Sequence, residues 1–527
     1  MTEGAAQPIS TSQGPSLRAK IGKVAVASAG ALILGELVSL VQTIALARLL
    51  SPAEVGFFVA GSVLTSFLGT FVEGGLRSGL IHREHRLEDA AETVFWATLA
   101  MGIMMSLAAL AAAPLIGLIF HSRTAGLVAA SMSGGVLLFS LTSVPEALLQ
   151  RHFSVRRRLI VGPAVAISFA AVSVTLAALG FGVWSMVAGS YASYVVWLVA
   201  VWLICDWRLG SGRATFGLWR ELARFGFPLV LNIFGERAQI VTQSVVTGGF
   251  LGPSGLGLLR YGERIARIPV TAIVEVSSIS LFPAFSRIAG DSDRMKSAYL
   301  RALGLVTIVA AAVSAMLVAV GEPLVVVVLG ETWRGAGVVL VATAGLGLGM
   351  AFITVSEEAI KGAGRTRLLN WYTLTEVSIS PILLLLLIGP LELVGVGLSI
   401  SITALIVGVV VTGLAKSVVG VSVRQIAGVT GPPVISALVG LAAVAPLEHM
   451  VMHSDSRGVL AGLGLLTLDG VAFLVIYLAA LWVITPSTVR SLASGVLELI
   501  RWLKATRSTN GADAGPDQSR APSNNRS

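Results

Sequence analysis

The chain has 527 residues, 55% of them hydrophobic and 12% charged, where a soluble globular domain carries about 25% charged residues. That balance excludes a water-soluble fold. The net charge of +9 does not signal nucleic acid either, because the basic residues sit in short loops between apolar runs and form no basic domain.

A spanning helix needs roughly 20 mostly apolar residues. Such stretches predict fourteen helices, at 24–47, 55–81, 92–118, 125–149, 159–180, 183–205, 225–250, 256–285, 298–329, 336–360, 368–389, 392–415, 426–447 and 458–485. The expected fold is therefore an all-α integral membrane protein. Residues 1–23 read as a disordered cytoplasmic N-terminus, and the first apolar run, too long for a secretory signal and without a cleavage pattern, reads as an uncleaved helix. That helix carries Glu36 with Ser39 and Thr43 on one face, a candidate proton or cation relay or one half of an ion pair. In the second, Ser62, Ser66, Gly69, Glu73 and Arg77 share a face, and Glu73 precedes Arg77 in the favourable i, i+4 order. A structural ion pair and a substrate site fit this pattern equally.

Helices one to six form an N-lobe (24–205) that ends at Cys205, the single cysteine, which excludes a disulfide framework and reads as a small apolar residue at a helix end. A cytoplasmic linker (206–224) leads to a C-lobe (225–415). Gln42, Leu50, Pro52 and Gly56 repeat as Gln243, Leu251, Pro253 and Gly257, in one register. The repeat unit holds six helices, and an even number keeps the orientation, so the lobes are expected to be parallel repeats about an axis along the membrane normal.

In the seventh helix Asn232, Glu236, Gln239 and Gln243 form one polar stripe with Arg237 beside it. In the eighth, Arg260, Arg264 and Arg267 lie at i, i+4 and i+7, with Glu263 placed to pair with Arg267. Stacked guanidiniums suit a diphosphate, since planar Arg forks bind phosphate oxygens bidentately; the plainer reading is a helix end snorkelling to the headgroups. The Gly345–Gly349 run sits in an apolar helix and reads as close packing rather than a dinucleotide fingerprint. Glu357, Glu358 and Glu376 lie near helix ends, His449 and His453 lack a third metal ligand, and Asp469 is a lone acid in the last helix, expected to find a local partner. Residues 486–527 read as a cytoplasmic amphipathic helix (Val489, Leu492, Val496, Leu499, Leu503) and a disordered tail. No Gly-Lys-Ser or Gly-Lys-Thr occurs, so no P-loop ATP hydrolysis is expected; the expected cofactors and catalytic residues are likewise none.

Most of the 37 Lys and Arg fall at the even-numbered helix exits and both tails, including Arg151, Arg156, Arg157, Arg158, Lys361, Arg365 and Arg367, whereas Arg48, Arg123, Arg334 and Arg457 mark the opposite side. Both termini are thereby expected in the cytoplasm.

The strings LARLLSPAEVGFF (46–58), EGGLRSGLIHRE (73–84), VPEALLQRHFS (144–154), GFGVWSMV (180–187), LGPSGLGLLRYGERIARIP (251–269) and FPAFSRI (282–288) resemble the polysaccharide-export flippases of the Wzx type. These belong to the multidrug/oligosaccharidyl-lipid/polysaccharide exporter superfamily. The resemblance implies two six-helix lobes around a central cavity, with two extra C-terminal helices. It also implies movement of undecaprenyl-diphosphate-linked oligosaccharide across the bacterial inner membrane by alternating access, with membrane lipids, a polysaccharide polymerase and chain-length machinery as partners. Glu73 stands where the family pattern has Asp, so the acid is kept and its reach differs. On that footing the expected substrate-binding set is Arg260, Arg264, Arg267, Arg237, Arg77, Asn232, Gln239 and Gln243, with Glu36, Glu73, Glu236 and Glu263 as coupling groups or structural ion pairs. The rivals are a drug/cation antiporter of the same fold, disfavoured by the excess of intramembrane Arg, and a membrane polymerase or ligase, for which the outer loops are too short.

Overall fold

The structure is a computed structural model that describes residues 34–73, 75–83, 85–151 and 157–486; the side chains of 157–158, 227–233, 236, 276 and 279 fall outside the description. The N-terminal tail and the amphipathic segment after 486 therefore lie outside the described residues. The helices are α1 (34–49), α2 (Pro52–Glu73), α3 (Leu76–His82), α4 (Leu87–Ile119), α5 (Arg123–Arg151), α6 (Gly162–Ala178), α7 (Val183–Ile204) and α8 (Phe216–Ile288), followed by α9 (Ser292–Leu329), α10 (Arg334–Ala342), α11 (Gly345–Gly362), α12 (Leu369–Val419), α13 (Val423–Leu447) and α14 (Val459–Ile484). Among the described residues, eleven helical segments are long and apolar enough to cross a membrane. Two of these contain a backbone break, at Gly252 (φ 68°) in α8 and at Glu392 (φ 48°) in α12. Left-handed backbone stops the regular hydrogen-bond ladder; the Gly252 break falls in the predicted connection 251–255, and the Glu392 break falls on the first residue of the predicted twelfth helix, one past the connection.

Three boundaries differ from the sequence reading. The second predicted helix is interrupted at Gly75, whose φ of 71° opens α3. The tenth is split by the turn between Ala342 and Gly345. The segment 206–224, expected as a linker, is helical from Phe216, because Thr215 holds extended backbone and its side chain accepts the Leu218 N–H at 3.4 Å, an N-cap that starts the helix early.

With lipid as solvent, helices gain little by hiding apolar surface from one another, so close packing over small residues decides the contacts. The Gly345–Gly349 run behaves this way: a Cβ on Gly349 would lie 2.6 Å from the Ala404 carbonyl carbon, and one on Gly345 2.9 Å from the Ser401 side chain. Leu203, Leu386 and Val483 remain exposed on the outside of the bundle, as a lipid-facing surface requires.

The buried side chains fall into clusters that place the lobes. The largest joins Leu46, Val55, Phe120, Leu256, Leu329, Trp333 and Val396, drawn from the same end of both lobes. At the opposite end the lobes keep separate cores. One contains Leu80, Val94, Leu148, Cys205 and Leu222, the other Phe285, Tyr299, Ile360 and Val419. Among the described residues, α8 alone contributes to both. The molecule is thus clasped at one end and divided at the other. A fourth core, including Ala319, Val444, Leu466 and Tyr477, packs α13 and α14 onto α9.

The clasped end is built by the internal repeat. A Cβ on Gly56 would overlap the Pro253 carbonyl, and a Cβ on Gly257 would overlap the Pro52 carbonyl. Each lobe thus sets its glycine on the other's proline. Around this crossing, Arg48 donates to the Val328 and Val327 carbonyls at 2.9 and 2.6 Å, capping the C-terminal end of α9. Trp333, fully buried and packed on Tyr261 with ring centres 4.2 Å apart, donates its indole N–H to the Ala47 carbonyl at 2.7 Å.

Candidate transport cavity

A cavity of ≈ 370 Å³ opens in the N-lobe, within the range of about 300–1,000 Å³ typical of ligand pockets. Ser66 and Glu73 of α2, Arg77 of α3, Phe139 of α5, Tyr194 of α7 and Arg237 of α8 line it. The first half of α8 reaches it because Gly226 lies against Gly75: a Cβ on Gly226 would be 2.5 Å from the Gly75 carbonyl carbon. That contact fixes the start of α8 on the α2/α3 junction, and about three helical turns further on Arg237 comes level with the cavity.

Two guanidiniums meet there in unlike states. Arg77 is tied: it holds Glu73 at 2.9 Å across the Gly75 interruption, the Gln150 amide oxygen at 3.0 Å and the Glu146 carboxylate at 3.5 Å. Glu146 is buried, so the Arg77 charge is matched by acids on either side. Arg237 is exposed into the cavity and has no recorded ion pair among the described residues. Among the described residues that line the cavity, it is the cation left to meet an anionic ligand.

The other sequence candidates divide as follows. Glu263, 4% exposed, takes Arg267 at 2.7 Å and Arg260 at 3.9 Å, so two of the three stacked guanidiniums share one carboxylate. Arg264 instead bonds the Ser39 hydroxyl of α1, joining the two lobes on that face. Glu36 is exposed one turn before Ser39. None of Arg260, Arg264 and Arg267 lines the cavity described above. Gln239 donates to the Ser380 hydroxyl of α12 at 3.1 Å, and Gln243 is half-buried one turn further. The side chains of Asn232 and Glu236 lie outside the described residues.

Sequence reasoning missed Glu146 and Gln150, although an acid and an amide at i, i+4 in an otherwise apolar helix carried the signal. It also missed Tyr194. Elsewhere Lys361 pairs with Glu357 at 2.8 Å and Glu358 at 3.3 Å. Cys205 is 3% exposed, and burial pushes its thiol above the usual range, which leaves it inert.

Fold and cavity together define an all-helical, multi-pass membrane protein whose two lobes are clasped at one end. The chain belongs to the family of polysaccharide biosynthesis proteins, whose pattern it matches over residues 45–337. It is 29% identical over 334 residues to the succinoglycan biosynthesis transport protein ExoT of Rhizobium meliloti, a stretch covering 62% of this chain and 66% of that protein. It is 23% identical over 328 residues to the lipopolysaccharide biosynthesis protein WzxC of Escherichia coli, covering 60% and 65%. The match thus spans just under two-thirds of either relative. The solved structure of the lipid II flippase MurJ in an inward closed conformation superposes with a TM-score of 0.69 at 14% identity, over 88% of this chain and 98% of that one, so the fold is shared.

Proposed function

We propose that this protein is a flippase. Its cargo is an undecaprenyl-diphosphate-linked oligosaccharide, carried across the bacterial cytoplasmic membrane for exopolysaccharide or lipopolysaccharide biosynthesis. The observation that carries the reading is the polar cavity in which Arg237 stands without an ion pair among the described residues, beside the tied Arg77. A guanidinium in a water-poor cavity attracts a diphosphate strongly and grips it through two parallel hydrogen bonds. Ser66, Thr70 and Tyr194, which line the cavity, suit sugar hydroxyls. The names of ExoT and WzxC support a polysaccharide precursor as cargo.

In this reading both termini face the cytoplasm, following the Lys and Arg asymmetry, and the clasped end faces outward. The divided end then admits a headgroup from the inner leaflet. Export requires the clasp to part while the divided end closes, a rocking of two lobes about the cavity. The protein carries out no covalent chemistry, and a polymerase with its chain-length partners takes the cargo on the far side.

The test is a deletion strain whose lipid extracts are compared before and after complementation. Completed undecaprenyl-linked repeat units are expected to accumulate on the inner leaflet while surface polysaccharide falls. Unchanged lipid-linked sugars with altered drug tolerance would replace this reading with the antiporter.

A further inference from the structure

The segment that joins the lobes is held more firmly than a plain connection requires. Three side chains at the start of α4 bind its backbone: Glu92 accepts the Gly210 N–H at 2.9 Å, Asp89 the Arg213 N–H at 2.8 Å and Thr93 the Thr215 N–H at 3.1 Å. The first turns of α8 follow directly. Leu218 and Leu222, four residues apart, are buried, and a Cβ on Gly79 of α3 would lie 3.0 Å from the Leu222 side chain. That face is turned inward, so helical spacing turns its complement outward. The complement is not that of a helix facing water. Phe216 is 74% exposed and Trp219 37%, and their rings stack with centres 5.0 Å apart. Phe216, Arg220 and Arg224 form one row at i, i+4 and i+8, which sets two guanidiniums beside the aromatic pair.

A groove of ≈ 380 Å³ runs along this row, lined by Gly217, Arg220, Glu221 and Arg224. Its acid is already matched, since Arg83 holds Glu221 at 2.9 Å. Arg220 and Arg224 are exposed and have no recorded ion pair among the described residues. A Cβ on Gly217 would meet nothing within 4 Å, so no side chain fills the groove there. Two guanidiniums without acids call for an anion, and a stacked aromatic pair beside them calls for apolar surface. A phospholipid supplies both. Arg forks bind phosphate oxygens bidentately, and aromatic rings gather at headgroup level. The chain has apolar spans on either side of this segment, Val183–Ile204 and Arg237–Ile288, so a leaflet lies within reach. We propose that Phe216, Trp219, Arg220 and Arg224 form a docking surface for an anionic phospholipid of the adjoining leaflet. The guanidiniums take its phosphate, and the aromatic pair lies among its glycerol and upper acyl groups. Two positive charges favour phosphatidylglycerol over a zwitterionic headgroup. Because α4 pins the segment that carries this surface, the bound lipid ties the N-lobe to its leaflet at the divided end. That leaflet is the cytoplasmic one in the orientation given above, and the lipid contact itself does not rest on the flippase reading.

The experiment needs no cargo, so its failure is separable from failure of the flippase assignment. The full chain is purified in detergent and titrated with dioleoylphosphatidylglycerol or dioleoylphosphatidylcholine, and the bound lipids are counted by native mass spectrometry. The parent is expected to bind its first phosphatidylglycerol at least tenfold more tightly than its first phosphatidylcholine. Arg220→Gln combined with Arg224→Gln is expected to lose at least tenfold in phosphatidylglycerol affinity. Its phosphatidylcholine binding should stay at the parent level, which also reports an intact fold. Arg365→Gln combined with Arg367→Gln removes the same charge from two exposed positions of the other lobe and is expected to keep the parent's preference. Phe216→Ser combined with Trp219→Ser is expected to weaken phosphatidylglycerol binding severalfold. No loss in the Arg220 and Arg224 pair, or an equal loss in both arginine pairs, would overturn the site. Phosphatidylglycerol affinity untouched by removal of the aromatic pair would overturn the membrane seat, and equal affinity of the parent for the two lipids would overturn both.

Discussion

Replacing Arg237 by alanine is expected to cut polysaccharide export at least tenfold while protein level and membrane insertion stay unchanged. Arg237 faces the cavity without a recorded ion pair among the described residues, so its removal leaves no buried acid uncompensated. A hydrogen bond to a charged group contributes about 1.5–3 kcal/mol, and every 1.4 kcal/mol is about a factor of ten. Lysine keeps the charge but loses the planar fork, so Arg237→Lys should restore only part of the flux. Arg77→Ala is a different experiment. It strips Glu146, 5% exposed, of its guanidinium, and breaking such a pair costs about 3–5 kcal/mol, so lower protein abundance should accompany lower export. The pair is read by quantifying surface polysaccharide per unit of membrane-inserted protein. Normal export from Arg237→Ala would place the anion elsewhere, with Arg264 the next guanidinium to replace.

Gly56→Leu and Gly257→Leu are each expected to hold the clasped end apart and to reduce export below about a tenth of wild type. The obstacle at both positions is a backbone carbonyl of the opposite lobe, which no rotamer change can move. Overpacking of a tight contact costs about 1–3 kcal/mol where side chains absorb it, and more where backbone must shift. A bias of that size moves a two-state equilibrium by one to two orders of magnitude. Spin labels at Ser51→Cys and Ser254→Cys, two exposed positions beside Pro52 and Pro253, in a Cys205→Ala background should report a longer distance in both variants, and the reciprocal geometry predicts similar shifts from either lobe. A short distance retained in both would show that the glycine crossing does not govern closure.

The sequence made some of this readable and hid the rest, for physical reasons. Apolar runs marked the helices because a bilayer demands them, and the backbone breaks inside the predicted gap before Pro253 and one residue past the predicted gap before Glu392. Gly75 was not legible: a glycine is tolerated inside a helix, and only the approach of Gly226 obliges the left-handed turn there. The repeat of Leu50, Pro52 and Gly56 as Leu251, Pro253 and Gly257 was visible as a coincidence of letters. That the two copies lock onto one another follows only from the lobes being packed. Helical spacing reports which residues share a face of one helix, so it found Glu73 with Arg77 and Glu263 with Arg267. It could not report partners on other helices. The hold of Arg77 on Glu146 and Gln150 and the bond of Arg264 to Ser39 are both of that kind. For the same reason the Arg260, Arg264 and Arg267 stripe looked like a free cradle on its own helix. In three dimensions it is largely engaged, and Arg237, a single letter beside a polar stripe, lines the cavity without an ion pair among the described residues.

Movement of a diphosphate-linked oligosaccharide between leaflets can be followed with purified protein in sealed liposomes. A short-chain polyprenyl-diphosphate oligosaccharide is placed in the inner leaflet and its appearance outside is followed with a sugar-specific lectin. Transfer that depends on the protein, falls at least tenfold with Arg237→Ala and stops with Gly56→Leu is the predicted result. Transfer no faster than in protein-free liposomes, under conditions where the same preparation moves a cationic drug, would contradict it.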